Sequence, residues 1–235
     1  MKRELLENVK SDIRDACQRA GRKPEEVTLI AVSKTKPWED VAEFLTLGQK
    51  DFGENYVQEA LEKIAAIKSD TKISTVPNWH FIGNLQSNKA KFLPGNFGLF
   101  HALDSVSLAQ KLSKAAAERK VVMNCLVEVN VDNEASKAGI SSGHLPAFLK
   151  DILELQNIRI LGLMCLPSAA NASRAPFAKL RDLLEKTNAS NIYPHPLREL
   201  SMGMSGDFKE AIMEGATFVR VGTRLFGERT RGKVS

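Results

Sequence analysis

Residues 27–37 read VTLIAVSKTKP, a continuous apolar run that is rich in β-branched residues and leads into a lysine. Such a run, followed by a proline that cannot extend a ladder of backbone hydrogen bonds, is typical of a core strand in a parallel sheet. Side chains alternate along a strand, so Lys34 would share the face of Ile30 and Val32. A buried ammonium needs a counter-ion, a lowered pKa or a covalent bond, and Schiff-base chemistry uses an amine of lowered pKa. The stretch therefore predicts a reactive Lys34 at a strand end, with a solvent-directed lysine as the alternative.

The composition is that of an ordinary globular protein. The 235 residues are 43% apolar and 26% charged, which fits one domain over 1–235 with a sizeable core. The chain shows no apolar run long enough to cross a bilayer and no secretory leader, so we expect a cytoplasmic protein without membrane contact. The odd number of cysteines, Cys17, Cys125 and Cys165, shows no metal-ligand spacing and indicates free buried thiols.

The charge pattern argues against nucleic acid as a partner. The net charge is +5, but the lysines and arginines are scattered and no basic run is interleaved with aromatic residues. We expect the charge to favour solubility and anionic small molecules instead.

The hydrophobic pattern alternates between strand and helix periods along the whole chain. A helix over residues 2–20 ends at Gly21, and eight strand segments then alternate with helical segments. After the first strand, the others are expected at 50–52, 79–82, 98–103, 121–131, 158–165, 197–202 and 217–221. This count predicts a (β/α)8 TIM barrel with one additional N-terminal helix; an open doubly wound sheet is the alternative.

Glycines and hydroxyl side chains follow the last two predicted strands. Gly203, Ser205 and Gly206 come after the seventh strand, and Gly222 and Thr223 after the eighth. Each group opens a predicted helix, and helix N-termini at the carboxyl ends of barrel strands favour phosphate. The alternative is that these glycines only form tight turns.

Arg220 lies on the face of the eighth strand opposite two valines and is predicted to point inward. A buried guanidinium needs an acceptor, which could be a ring nitrogen, or a carboxylate such as Glu128 or Glu199. A strand-end lysine (Lys34), a phosphate cradle and an inward arginine together indicate pyridoxal 5′-phosphate (PLP), bound as an imine at one end and by its phosphate at the other.

Motifs spread along the chain resemble those of the pyridoxal phosphate homeostasis proteins, which are related to the N-terminal domain of alanine racemase. They are AVSKTK at 31–36, FGENYVQE at 52–59, WHFIG at 79–83, LQSNK at 85–89, EASKAG at 134–139, GLM at 162–164, SMGMS at 201–205, VRVGT at 219–223 and FG at 226–227. The resemblance covers nearly the whole chain.

The resemblance implies a role for each of six residues. Lys34 would form the imine with PLP, Asn55 would lie beside the cofactor, and Arg220 would face the ring nitrogen. The residues that would take the phosphate are Ser205, Gly222 and Thr223. The family implies a PLP carrier that serves PLP homeostasis, passes the cofactor to apo-enzymes and has no established catalytic reaction. A site made from a chain's own strands needs no partner subunit, so a monomer is preferred.

Two enzyme hypotheses remain open at this point. An amino-acid racemase needs a second acid or base besides Lys34, for which Tyr56 is a candidate, whereas Tyr193 falls away from the predicted site. A phosphosugar enzyme could use Lys34 for a sugar imine.

Four further residues have both a functional and a structural interpretation. Lys36, Lys89 and Lys137 could receive or release the aldehyde, or could be solvent-exposed lysines. His80 is expected to be a core histidine that is hydrogen-bonded to backbone.

Overall fold

Parallel strands form a closed barrel. The computed structural model describes residues 1–132, 134, 137–167 and 173–227. Within these ranges the barrel strands are β1 (Thr28–Val32), β2 (Asp51–Glu54), β3 (Asn78–Phe81), β4 (Leu99–Leu103), β5 (Met123–Asn130), β7 (Ile158–Met164), β8 (Glu199–Ser201) and β9 (Phe218–Val221). β9 pairs with β1 and β4 pairs with β5, which closes the sheet, while the two-residue β6 (Ile140–Ser141) pairs with β5 alone. The predicted (β/α)8 barrel is confirmed, and the open doubly wound sheet is wrong.

Helices surround the barrel. They are α1 (Lys2–Arg19), α2 (Trp38–Thr46), α3 (Val57–Ser69), α4 (Val106–Glu118), α5 (Leu145–Asp151), α6 (Ala175–Ala189), α7 (Phe208–Met213) and α8 (Thr223–Phe226). The connection from β3 to β4 contains a 3-10 helix, Ser87–Phe92, instead of an α-helix. Within the described ranges, no helix is both long and apolar enough to cross a bilayer.

The additional N-terminal helix packs on the helices that follow the last two barrel strands. The buried side chains of α1 are Leu6, Val9, Ile13, Ala16 and Cys17, the stripe expected of a helix with one face on a core. α1 contacts α7 and α8, and Asp12 forms ion pairs with Lys209 of α7 and Arg224 of α8. α1 thereby braces two short helices that begin at the carboxyl ends of β8 and β9.

Strand register shows which side chains fill the barrel. Ile30 is paired with Arg220, and Val32 with Gly53, and laterally paired residues in parallel strands point to the same side. These residues face the interior, as predicted for Ile30 and Val32. Ala31 and Phe52 face outward and join the hydrophobic core beneath the helices.

The first strand is shorter than expected. β1 ends at Val32, and Ser33, Lys34 and Thr35 form a turn. Thr35 has a φ of +62°, a left-handed conformation that cannot continue a strand. The interior face of β1 still leads towards Lys34, but the lysine lies on a loop at the carboxyl end of the barrel.

Candidate functional site

A cavity of about 440 Å³ opens at the carboxyl ends of the strands. We call it the strand-end cavity. Its lining contains all six residues singled out from the sequence: Lys34, Asn55, Ser205, Arg220, Gly222 and Thr223. The rest of its wall is mostly apolar and consists of Val32, Ile82, Leu166, Met204 and Gly206. A cavity of this size with a few convergent polar groups has the dimensions of a small-molecule site.

Arg220 lies at the floor of the cavity and is only 4% exposed. One guanidinium nitrogen, Nη1, donates to Ser201 Oγ at 2.6 Å, and Nη2 donates to the carbonyl of Cys165 at 3.0 Å. Burial lowers the pKa of Arg220, opposed by the neighbouring Cys165 and Glu128. A guanidinium has five N–H donors, so two contacts leave donor capacity for a ligand.

The alternative of a direct ion pair at Arg220 is wrong. Over the described ranges, no carboxylate oxygen lies within 4 Å of its nitrogens, and neither Glu128 nor Glu199 is its partner. Glu128 does face the same interior, because it is paired with Met164, which is paired with Ser201. The arginine is therefore held by neutral acceptors.

The two loops expected to form a phosphate cradle are joined to each other. The amide of Gly222 donates to Ser205 Oγ at 3.3 Å, and the amide of Arg220 donates to the carbonyl of Gly203 at 3.0 Å. Gly203 has a φ of +88°, and a Cβ there would lie 2.6 Å from the Cβ of Ala211. Only glycine fits this position. The loops thus reach the cavity in a fixed arrangement, next to the starts of α7 and α8.

A buried lysine fixes the backbone just before Lys34. Lys63 of α3 is 5% exposed, and its Nζ donates to the carbonyl of Ser33 at 2.6 Å and to Glu54 Oε1 at 2.7 Å. Ser33 Oγ donates to the same Glu54 oxygen at 2.7 Å. Desolvation raises the pKa of Glu54, while Lys63 and Ser33 act in the opposite direction.

The same lysine also fixes the backbone just after Lys34. Lys63 Nζ donates to Glu59 Oε1 at 2.6 Å, and this oxygen also accepts the amide of Thr35 at 2.5 Å. We call Glu54, Glu59 and Lys63 the lysine clamp. It holds both neighbours of Lys34 from outside the barrel, so that the turn carrying Lys34 has one geometry.

Asn55 presents an unmatched acceptor. Its Oδ1 is buried and has no hydrogen-bond partner among the residues that the structure describes. A Cβ at Gly83 would lie 2.6 Å from the carbonyl oxygen of Asn55, so the two backbones touch and Asn55 is held in place. Because buried polar atoms are normally satisfied, this oxygen calls for a donor from a ligand or a water molecule.

A second cavity, of about 570 Å³, adjoins the first and shares Asn55, Ile82 and Leu166 with it. Tyr56 lines this second cavity and is 53% exposed. Tyr193 lies elsewhere, with its hydroxyl accepting the amide of Ile160 at 3.0 Å.

The three accessory lysines lie at different places. Lys89 lines the second cavity, and its ammonium lies 5.8 Å from the centre of the Phe92 ring. Lys137 Nζ donates to the carbonyl of Leu166 at 2.9 Å, beside both cavities. Lys36 is partly buried in the loop after Lys34. Their transfer role stays a prediction.

The histidine in β3 has partners that differ from those expected. Among the described residues, His80 hydrogen-bonds to the side chains of Asp51 and His101 and not to backbone groups.

The sequence analysis missed three residues around the site: His101, Glu59 and Lys63. A histidine within the apolar run of β4, and a lysine on the buried stripe of α3, were signals that could have identified two of them.

The described residues offer no metal site, since no three His, Cys, Asp or Glu side chains cluster there. The cysteines Cys17, Cys125 and Cys165 are buried and free, as expected. Burial raises the pKa of Cys165 to about 12, which makes it a poor nucleophile.

The fold and the site define a barrel whose strand ends bring a lysine, an arginine and hydroxyl groups to one cavity. The sequence model for the family described as alanine racemase, N-terminal domain, matches residues 6–230. A pyridoxal phosphate homeostasis protein of Pseudomonas aeruginosa is 44% identical over 233 residues, covering 97% of this chain and 96% of the relative. One from Aquifex aeolicus is 44% identical over 229 residues, covering 96% and 97%.

The solved structures include a similar protein, PipY of Synechococcus elongatus with PLP bound. It is 34% identical, with a TM-score of 0.82 over 97% of this chain and all of that one. The chain therefore belongs to the pyridoxal phosphate homeostasis protein family, within the wider family of alanine racemase N-terminal domains.

Removing the cation of the lysine clamp should destabilise the protein. In the variant Lys63→Met, the buried carboxylate of Glu54 loses its counter-ion, and we expect the free energy of unfolding to fall by about 3 kcal/mol. Urea denaturation measures this difference. The control Lys68→Met, on an exposed position of α3, should change it by less than about 0.5 kcal/mol. Equal effects of the two substitutions on the free energy of unfolding would contradict a stabilising role of the lysine clamp.

Glu128 should make stability depend on pH. Burial, followed by the charge of Asp104, raises its pKa to about 7, against 4.5 for an ordinary glutamate, and Arg220 acts in the opposite direction. The folded state binds the Glu128 carboxyl proton more tightly than the unfolded state does. This proton therefore stabilises the fold fully below pH 4.5, and the free energy of unfolding falls by up to about 3 kcal/mol as the pH rises to about 7.

The variant Glu128→Gln should remove this loss. Urea denaturation at about pH 5 and about pH 8 should show a smaller drop in unfolding free energy for the variant than for the wild type. The exposed Glu118→Gln should behave like the wild type. Parallel pH profiles of the Glu128 variant and the wild type would contradict the assignment.

Proposed function

We propose that this protein binds PLP covalently through Lys34 in the strand-end cavity and, in the cytosol, holds the cofactor and supplies it to apo-enzymes. The observation that carries the proposal is the convergence of a lysine, an arginine and two hydroxyl side chains on one cavity of about 440 Å³. Family membership supports it, because the named relatives are PLP homeostasis proteins and the PipY structure contains PLP.

The residues of the cavity fit the chemical groups of PLP one by one. Ser205 and Thr223 offer hydroxyl groups for the phosphate, and Gly222, whose amide donates to Ser205 Oγ at 3.3 Å, brings the two loops together around it. Arg220 has spare N–H donors for the ring nitrogen, and the unmatched Oδ1 of Asn55 is an acceptor for a donor on the ligand.

Lys34 supplies the covalent link. When PLP binds, the Lys34 amine condenses with its aldehyde, forming a C=N bond and releasing one water molecule. The lysine clamp holds the backbone of Ser33 and Thr35, so the amine approaches the cavity from a fixed direction. Arg220 keeps its proton and donates to the ring nitrogen, which leaves that nitrogen unprotonated and the ring a weak electron sink. This arrangement suits storage more than amino-acid chemistry.

Borohydride reduction locates the covalent link. We would incubate the protein with PLP, record visible absorption, reduce the sample and identify the modified peptide by mass. We expect a pyridoxyl adduct on Lys34, lost in Lys34→Ala and kept in the matched control Lys36→Ala. A colourless protein that stays unmodified would contradict PLP binding and favour a phosphosugar enzyme that uses Lys34 for a sugar imine.

A racemase is the second candidate, and the position of Tyr56 is the observation that favours it. This tyrosine lines the cavity that adjoins Lys34, so a second acid or base lies near the site. Its side chain is 53% exposed to solvent, whereas a racemase base must reach the α-carbon of a bound amino acid in an enclosed site.

Exchange of the α-hydrogen separates the carrier from the racemase. With PLP bound, we expect L-alanine and D-alanine in deuterated water to show no saturable exchange above that of free PLP. Rapid, saturable exchange that is lost in Tyr56→Phe would contradict a pure carrier and identify Tyr56 as a base. Exchange retained in that variant but lost in Lys34→Ala would also contradict it, with Lys34 as the base.

A further inference from the structure

A line of polar side chains crosses the barrel interior from one mouth to the other. At the amino end of β2, Asp51 Oδ1 lies 3.1 Å from His80 Nε2. His80 Nδ1 lies 3.0 Å from His101 Nε2, and His101 Nδ1 lies 2.8 Å from Ser201 Oγ. Ser201 Oγ accepts Nη1 of Arg220 at the floor of the strand-end cavity. We call these five residues the interior relay.

Only one neutral arrangement of protons satisfies every contact of the relay. Asp51 accepts only, so His80 must donate from Nε2 and its Nδ1 is an acceptor. His101 therefore donates from Nε2 to His80, and its Nδ1 accepts the hydroxyl proton of Ser201. The oxygen of Ser201 is then turned towards the donor Nη1 of Arg220.

The reverse arrangement fails at the Asp51 end. If His101 carried its proton on Nδ1, its Nε2 would accept from His80 Nδ1. An unprotonated His80 Nε2 would then face a carboxylate oxygen at 3.1 Å, with two acceptors in contact. Asp51 thus fixes the tautomers of both neutral histidines, and through them the direction of the Ser201 hydroxyl proton.

The surroundings of His101 favour its neutral form. His101 is fully buried, and desolvation, followed by the charges of His80 and Arg220, lowers its pKa well below the ordinary value. The ring of Phe218 packs against both imidazoles, at 5.6 Å from His80 and 5.5 Å from His101. Asp51 is the accessible end of the line, since its side chain is 24% exposed and also accepts from Asn78 Nδ2 at 3.2 Å.

We propose that Asp51, His80, His101 and Ser201 are positioning residues that orient the Arg220 guanidinium from the opposite end of the barrel. Barrel interiors are usually filled with layers of branched apolar side chains. Burying polar side chains there instead costs free energy, which only a defined role offsets. Asp51 is the acceptor that fixes the tautomer of His80. Through His101 and Ser201, this fixes the direction in which the Arg220 guanidinium is held. The consequence for PLP rests on the proposed function, but the proton arrangement does not.

Nitrogen NMR of the imidazole rings tests the relay in the protein without PLP. Protonated and unprotonated ring nitrogens resonate in separate ¹⁵N ranges. The sequence has only four histidines, so the signals lost in His80→Gln, His144→Gln and His195→Gln complete the assignment. We expect His80 and His101 both to carry the proton on Nε2. A proton on Nδ1 of either ring in the wild-type protein would overturn the proposal.

The variant Asp51→Ala tests transmission along the line. Without its acceptor, His80 should become a mixture of the two tautomers, and so should His101, which does not touch Asp51. The matched control Asn78→Ala removes the other partner of Asp51 and should leave both rings unchanged. An unchanged His101 in folded Asp51→Ala would overturn the relay, and failure of that variant to fold would leave the wild-type tautomers as the deciding measurement.

The effect on the ligand is measured by PLP titration. Ser201→Ala removes the acceptor that holds Arg220 Nη1, and we expect PLP to bind roughly tenfold more weakly. Ser201→Thr keeps the hydroxyl and should restore most of the affinity. Equal affinity of Ser201→Ala and the wild type would contradict a positioning role. If the wild type binds no PLP, the proposed function fails, and the tautomers still decide whether the relay exists.

Discussion

The burial of Arg220 is the constraint on which the interior of this barrel depends. A guanidinium cannot shed its proton at any physiological pH, so its charge must be accommodated where it lies. Within the described part of the chain, neutral acceptors do this, the hydroxyl of Ser201 and the carbonyl of Cys165, and not an adjacent carboxylate. A hydroxyl is a weak orienting group by itself because it rotates. Its orientation comes from His101, and through His80 from Asp51.

A second buried cation, Lys63, fixes the other side of the cavity from outside the barrel. Lys63 lies between the strands and α3, and its three contacts reach both sides of the turn that carries Lys34. The two cations thus act on the same site from opposite directions. Arg220 sets the floor of the strand-end cavity, and Lys63 sets the wall from which the Lys34 amine emerges. Each is held by a network that extends away from the cavity, which leaves the cavity itself open to a ligand.

Much of the architecture was predictable because local patterns determine it. The alternation of apolar strands with amphipathic helices predicted the barrel, and unusual residues at strand ends identified the cavity lining. What remained hidden depends on contacts between distant segments. His101 and Ser201 are 100 residues apart, and Arg220 and Cys165 are 55 apart. The end of β1 was also misplaced, because the left-handed Thr35 is stabilised by Glu59 on α3 and not by its own neighbours.

The rim of the cavity bears on how a held ligand could leave. Leu166 and Met204, both partly exposed, line the opening, and Tyr56 stands at the adjoining cavity with half of its surface in solvent. An enzyme that stabilises a charged transition state gains from closing its site against water, since electrostatic interactions strengthen there. A carrier has the opposite requirement. It must let water reach the covalent link, because hydrolysis returns the aldehyde and frees it for the next protein. An anchored lysine beneath an open rim meets both needs of a carrier, a defined binding position and a route for release.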